Sequence, residues 1–365
     1  MEMVRTEILV IGGGVIGLSI ARRFALAGHQ VILIENGAAP GMINSSRNSG
    51  VIHAGLYYSE SPLKEQMCIR GKELLYAYCD QKSVPYERLG KLIVAQAGQE
   101  EDLETIFHHA MDNDVPAKML SGFEAKRRYA ELDCVSALES SSTGIVDVSS
   151  LLQSLALDFE SAGGLLQCFA AASQINLERE VASVLMVDGT KVVADLVINA
   201  AGLSALDLVP CDARSEFENF FVKGNYFSYR KSVPFSHLIY PLPSQGGLGV
   251  HLTLDLAGQA KFGPDAQPVE DIDFAIDADR AACFAAAIEE YWPGCDVGYL
   301  SPDYAGVRPK LKHHGIVVKD FVFLQSRGNY GAEVLSLLGM ESRASPVLWQ
   351  SPSMFSIWLS VPSES

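Results

Sequence analysis

Apolar residues run unbroken through Ile8–Ile11, give way to Gly12-Gly13-Gly14-Val15-Ile16-Gly17, resume at helical spacing through Ile20, Phe24 and Leu26, and form a second short run before Glu35. A short β-branched run followed by a change of period from two to about 3.6 predicts strand, glycine turn, helix and strand over Ile8–Glu35. The same reading predicts helices over Leu63–Tyr78, Glu100–Asp114, Ser121–Tyr129, about Ser149–Ser161 and Asp279–Tyr291. Ser121 and Glu124 have capping-box spacing at the third of these. Strands are expected over Leu89–Ala95, Leu165–Phe169, Val181–Val187, Lys191–Ala194, Leu196–Asn199 and Ile316–Phe323, with Asp188-Gly189 marking a hairpin. From Phe220 the texture becomes one of alternating short strands, as in an antiparallel sheet.

The fold class expected is α/β, and α+β overall. A Rossmann-like βαβ domain is assembled discontinuously from residues 1–88, 145–215 and 300–365, with an antiparallel-sheet substrate-binding domain inserted as 89–144 and 216–299. In the first unit Gly12 permits the tight turn, Gly14 lets the backbone approach a pyrophosphate, and Gly17 lets the helix lie close on the strand. The positive end of that helix faces the phosphates. Glu35, at the end of the second strand, is placed to accept both ribose hydroxyls of an adenosine and disfavours a 2′-phosphate. The motif alone leaves FAD and NAD both open.

A chain of 365 residues exceeds one comfortable core, so two domains are expected, and 48% hydrophobic against 20% charged residues supplies both. The net charge of −16 argues against nucleic acid and against general attraction to anionic lipid, so an anionic ligand needs a local basic pocket. Seven scattered cysteines without a C-x-x-C pair predict reduced thiols, a cytoplasmic location and no metal site. The apolar start runs straight into the glycine turn without a small-residue cleavage site, which is not the pattern of a signal peptide. No run reaches the roughly 18 apolar residues of a transmembrane segment.

The stretch Ser45–Tyr58, SSRNSGVIHAGLYY, follows the second strand and has more groups to hydrogen-bond than to pack. Ser45, Ser46, Arg47, Asn48 and Ser49 offer donors for a pyrophosphate and ribityl chain, and Gly50 and Gly55 allow close backbone approach. Ala200-Ala201-Gly202 is a second strand-to-small-residue turn, which adds Ala200 and Gly202 to the cofactor-binding candidates. The stretch Ser45–Tyr58, with Cys68, Gly71-Lys72 and Gly90-Lys91-Leu92 behind it, resembles the L-2-hydroxyglutarate dehydrogenase/oxidase family. That family belongs to the FAD-dependent oxidoreductases of the D-amino-acid-oxidase-like fold. The segments Val197–Gly202, Lys223–Tyr226, Tyr240–Pro243, Leu248–Thr253, Phe262–Pro264 and Gly306–Lys310 are similar to its later motifs, in order and in register.

The resemblance implies FAD rather than NAD, and oxidation of L-2-hydroxyglutarate, a small dicarboxylate, to 2-oxoglutarate by hydride transfer to flavin N5. A base is then needed for the hydroxyl proton, and His53 is the candidate. Arg308 is the candidate clamp for one carboxylate, and Lys223 and His251 for the other carboxylate or the 2-hydroxyl. Tyr57, Tyr240 and Tyr304 either line the pocket or pack. The rival activity on the same fold is oxidation of amino or N-methyl amino acids; a catalytically weak flavin-binding scaffold is the rival outside enzymes. The electron acceptor is oxygen or a membrane quinone, the latter requiring peripheral contact at the inner face of a membrane. Gly339–Ser342 is similar to the family segment that leads into a helix facing the flavin, which makes Gly339 a cofactor-binding candidate. Beyond it Arg343–Gln350 departs from the family pattern. Ser345-Pro346 offers a helix start and Pro352 a stop, and weaker FAD binding is expected.

Overall fold

Strand Met3–Ile11 lies between Val31–Ile34 and Lys191–Asn199 and runs parallel to both. A computed structural model describes residues 3–58, 60–210, 214–242, 249–328 and 331–340. Leu165–Gln167 adds a parallel strand outside Val31–Ile34, and Glu333–Leu338 adds one outside Lys191–Asn199. Ile8 and Val10 pack with helix Val15–Leu26 and helix Val148–Ser161, while Leu9 and Ile11 pack on the opposite face with Ile175, Val184 and Val334. Both faces are covered, which is why the strand reads as an apolar run rather than an alternation.

The hairpin at Asp188-Gly189 forms: the Asp188 carboxylate accepts from the Thr190 amide at 2.8 Å and Gly189 has φ +88°. The two strands expected after it are one, Lys191–Asn199. Its first half pairs antiparallel with Ala182–Met186 and its second half parallel with Glu333–Leu338, a strand the sequence did not predict.

Among the described residues the second sheet has ten strands. Phe217–Tyr229 and Leu300–His313 form its longest pair, in antiparallel register from Phe217 opposite His313 to Tyr229 opposite Leu300. Strand Leu300–His313 thus belongs with the antiparallel sheet and not with the nucleotide-binding unit to which residues 300–365 were assigned. One pair departs from the antiparallel expectation: Leu238–Pro241 lies parallel to Lys91–Ala95. The core beneath is aromatic, built on Phe227, Tyr229, Phe262, Phe284, Tyr291 and Trp292. A third, small sheet joins Val51–Ile52, Gly144–Val146 and Tyr86–Glu87.

The strand expected over Ile316–Phe323 is two strands in different sheets, Ile316–Val317 and Val322–Arg327. The interruption has a use. Asp320 accepts the amides of Leu63 and Lys64 at 2.9 and 3.0 Å, capping helix Pro62–Lys82, whose own Ser61 makes no side-chain cap. The capping box of Ser121 and Glu124 forms as expected. The helix start at Ser345-Pro346 and the apolar stretch Ser351–Ser365 lie outside the described residues.

Asp158 ties three helices together: it accepts from Arg22 Nε at 2.8 Å, Lys82 Nζ at 2.7 Å and the Tyr78 hydroxyl at 3.2 Å. Burial opposes ionisation of its carboxyl, but the bonds from Lys82 and Arg22 outweigh that and hold it below the usual carboxylate range. A depressed carboxylate contributes stability above its unfolded pKa, and the contribution is lost as pH falls towards the folded value. Replacement of Asp158 by Asn is therefore expected to cost about 2 kcal/mol at neutral pH. Denaturant unfolding should show the gap between parent and variant closing below about pH 4.

Candidate functional site

The glycine turn is built by contacts that exclude side chains. Gly12 has φ +101° and donates its amide to Ile34 O at 2.8 Å; a Cβ on it would stand 2.5 Å from Ala200 O. A Cβ on Gly17 would collide with Gly12 O, so the helix presses directly on the turn and Gly17 is packed behind the cavity rather than in its wall. Helix Val15–Leu26 has no side-chain cap from Gly14; instead Ser45 Oγ accepts from the Val15 amide at 2.9 Å. Glu35, buried, accepts from the amides of Gly13 at 2.7 Å and Gly37 at 2.6 Å, one on each carboxylate oxygen. Each oxygen has capacity for a further donor.

A cavity of about 380 Å³ opens in front of this turn. Gly12, Gly14 and Glu35 form one wall, with Ala200 and Gly202 beside them. Gly202 has φ +60° and open space where a Cβ would project. The loop bearing Ser45, Arg47 and Asn48 forms the second wall, and Gly306–Pro309, with Arg308, the third.

Loop and strand are clamped together. Asn44 Nδ2 donates to Val307 O at 2.6 Å while the Val307 amide reaches Asn44 Oδ1 at 3.4 Å, and the Tyr304 hydroxyl donates to Asn48 O at 2.7 Å. A Cβ on Gly306 would collide with Arg47 O. Burial, and then the neighbouring Tyr226 and Asp303, raise the Tyr304 pKa far above the ordinary range, so the hydroxyl remains a donor at any working pH.

Two guanidinium groups face the cavity. Arg308 Nη2 makes one long bond, 3.4 Å, to Asp265 O, and Arg47 stands 4.6 Å over the Phe274 ring. Neither has a carboxylate partner among the described residues. Asp265, the carboxylate nearest by these contacts, is occupied by Arg280 and by the Asn225 amide.

The other candidates fall elsewhere. Lys223 does not line the cavity: its buried ammonium is bound to Asp273 at 3.0 Å and Ala275 O at 2.8 Å, which ties down the segment whose Ile272 and Phe274 form part of the wall. His251 is stacked flat on Tyr240 at 3.7 Å, and Lys91 Nζ lies 4.7 Å from the Tyr240 ring centroid and 4.6 Å from that of Tyr57. Lys91, only 1% exposed, went unnoticed in the sequence beyond its place in Gly-Lys-Leu. His53 is outside the cavity wall; it sits where the chain leaves one core at Ile52 and enters the other at Ala54. Ser46, Ser49, Gly50 and Gly339 also lie outside the wall, Gly50 giving its amide to Asn48 Oδ1 at 2.8 Å.

The family model described as FAD dependent oxidoreductase matches residues 7–340. The chain is a member of that family. Mitochondrial L-2-hydroxyglutarate dehydrogenase of Arabidopsis thaliana is 35% identical across 93% of this chain and 80% of its own length. L-2-hydroxyglutarate dehydrogenase of Escherichia coli K12 is 30% identical across 71% of this chain and 64% of its own. The fold is shared with the FAD-bound L-α-glycerophosphate oxidase of Mycoplasma pneumoniae, TM-score 0.83 at 23% identity, covering 96% of this chain and 94% of that one.

The cavity of this FAD-dependent oxidoreductase fits the cofactor on its own geometry. Gly12 and Gly14 put no side chain between the helix start and the cavity, Glu35 keeps acceptor capacity on both carboxylate oxygens, and the unfilled space at Gly202 borders the same cavity, as a pyrophosphate and a ribose require. We propose Ser45, Arg47 and Asn48 as further contacts. Glu35→Ala is expected to weaken FAD binding by about tenfold or more, read by fluorescence titration of flavin into apoprotein. Lys223→Met leaves Asp273 without its cation, and faster limited proteolysis within residues 270–277, with flavin lost more readily on dialysis, is the expected result.

Proposed function

We propose that this chain oxidises L-2-hydroxyglutarate, or a closely related small 2-hydroxy acid, to the corresponding 2-oxo acid. The observation that carries the reading is the 35% identity to the Arabidopsis dehydrogenase across 93% of the chain. The partner-poor Arg308 in the wall of the cofactor cavity supports it. Arg308 grips the carboxylate next to the hydroxyl with two parallel bonds and so presents the carbinol carbon in one orientation. FAD, when bound, supplies the acceptor for the hydride that leaves that carbon. His53, at the seam between the two cores, takes the hydroxyl proton. The buried group of Lys91, Tyr57, Tyr240 and His251 serves the distal carboxylate in this reading, since Lys223 is already spent on Asp273.

Oxygen and a membrane quinone are the two acceptors consistent with this chemistry; oxygen uptake measured against reduction of a soluble quinone analogue separates them. Among the described residues no helix is long and apolar enough to cross a membrane. A cytoplasmic site of action, with peripheral contact where a quinone is used, completes the reading.

The deciding experiment is anaerobic addition of substrate to the flavin-loaded protein. Bleaching of the visible flavin absorbance by L-2-hydroxyglutarate, with none by glycine, sarcosine or D-alanine, is expected; the reverse pattern sinks the reading in favour of an amine oxidase. Replacement of His53 by Ala should lower kcat by about 10²–10⁴ with flavin content unchanged. Arg308→Lys should raise KM roughly tenfold or more in steady-state assays, because an ammonium cannot reproduce the bidentate geometry.

A further inference from the structure

We propose that Glu216, His313 and His314 form a binding site for one divalent transition-metal ion of the zinc type, at the end of the antiparallel sheet and apart from the cofactor cavity. Their donor atoms all lie within 4.8 Å of one another. Glu216 Oε2 and His313 Nε2 are 3.4 Å apart, close to the roughly 3.3 Å that separates two ligands of a tetrahedral ion at ordinary zinc–ligand lengths. Two imidazoles and a carboxylate are a donor set for zinc and its neighbours and not for calcium or magnesium, which take oxygen.

The backbone accounts for how neighbouring histidines serve one ion. Successive side chains of a strand point to opposite faces. His313 ends the strand, but His314 has φ +47° and Gly315 φ +78°, the two-residue turn leading to Ile316, which pairs with His313. The left-handed residue brings the His314 ring back beside its neighbour, the centroids 4.3 Å apart. His313 is stacked on Phe217 at 4.8 Å, and the His314 amide donates to Glu216 O at 3.2 Å, so the turn is tied to the residue that supplies the carboxylate. Side chains of His313 and Glu216 are about half exposed, at 45% and 53%, which leaves access for the ion and for a water as fourth ligand.

The test uses the untagged, flavin-loaded chain, dialysed to equilibrium against zinc chloride, with bound metal counted by elemental analysis. One zinc per chain is expected. His314→Asn, which keeps a side chain that tolerates the turn, and Glu216→Gln should each weaken binding at least tenfold while flavin content stays that of the parent. Zinc should raise Tm in the parent and not in either variant. His313→Gln gives the same readout without touching the turn residue, should His314→Asn fail to fold. A parent that binds no zinc overturns the proposal, as does undiminished binding by the variants.

Discussion

The loop that follows Glu35 is held from two sides, and the cofactor cavity depends on that. Ser45 meets the first amide of the glycine-turn helix, while Asn44 and Asn48 are bonded to Val307 and Tyr304 of a strand more than 250 residues later. Gly306 lets the two backbones touch. The clamp fixes the antiparallel sheet against the parallel one, so Arg308 arrives over the same space that Gly12, Gly14 and Glu35 open onto. Loosening it would move a whole sheet edge, because the strand carrying Arg308 is paired along its length with Phe217–Tyr229.

Charge is distributed to the same end. In a chain of net charge −16, several buried or half-buried cations are matched by carboxylates: Arg22 and Lys82 by Asp158, Lys223 by Asp273, Arg280 by Asp265. Arg47 and Arg308 face the cavity without such a match among the described residues. The net negative charge disfavours polyanions in general, while these two guanidinium groups leave positive charge in the cavity wall.

What the sequence disclosed, it disclosed through local rules. The βαβ unit, the Asp-Gly hairpin and the capping box each depend on residues within a few positions of one another, and all are present. Partners chosen across the chain left no such trace. Nothing near Lys223 announces Asp273, so a lysine in a strand read as a substrate clamp is a tether. Asn44 carries no sequence signal and Tyr304 is left between lining the pocket and packing, yet the two clamp loop and strand together, because their partners are more than 250 residues away in sequence. Leu300–His313 alternates as any half-buried strand does, and alternation does not say which sheet it joins. Lys91 shows the limit most plainly: an ammonium between two tyrosine rings is a tertiary arrangement, and its neighbours in sequence are simply apolar.

Asp320 carries a consequence for how the molecule comes together. The helix that starts at Pro62 receives its cap from a carboxylate more than 250 residues downstream, so during synthesis its first turn lacks that cap until Asp320 has been made and has emerged. An early helix is thereby finished by a late one-residue contribution. The open end of the helix lies close to the loop of His53, whose carbonyl accepts from Cys68 Sγ on the same helix at 3.4 Å.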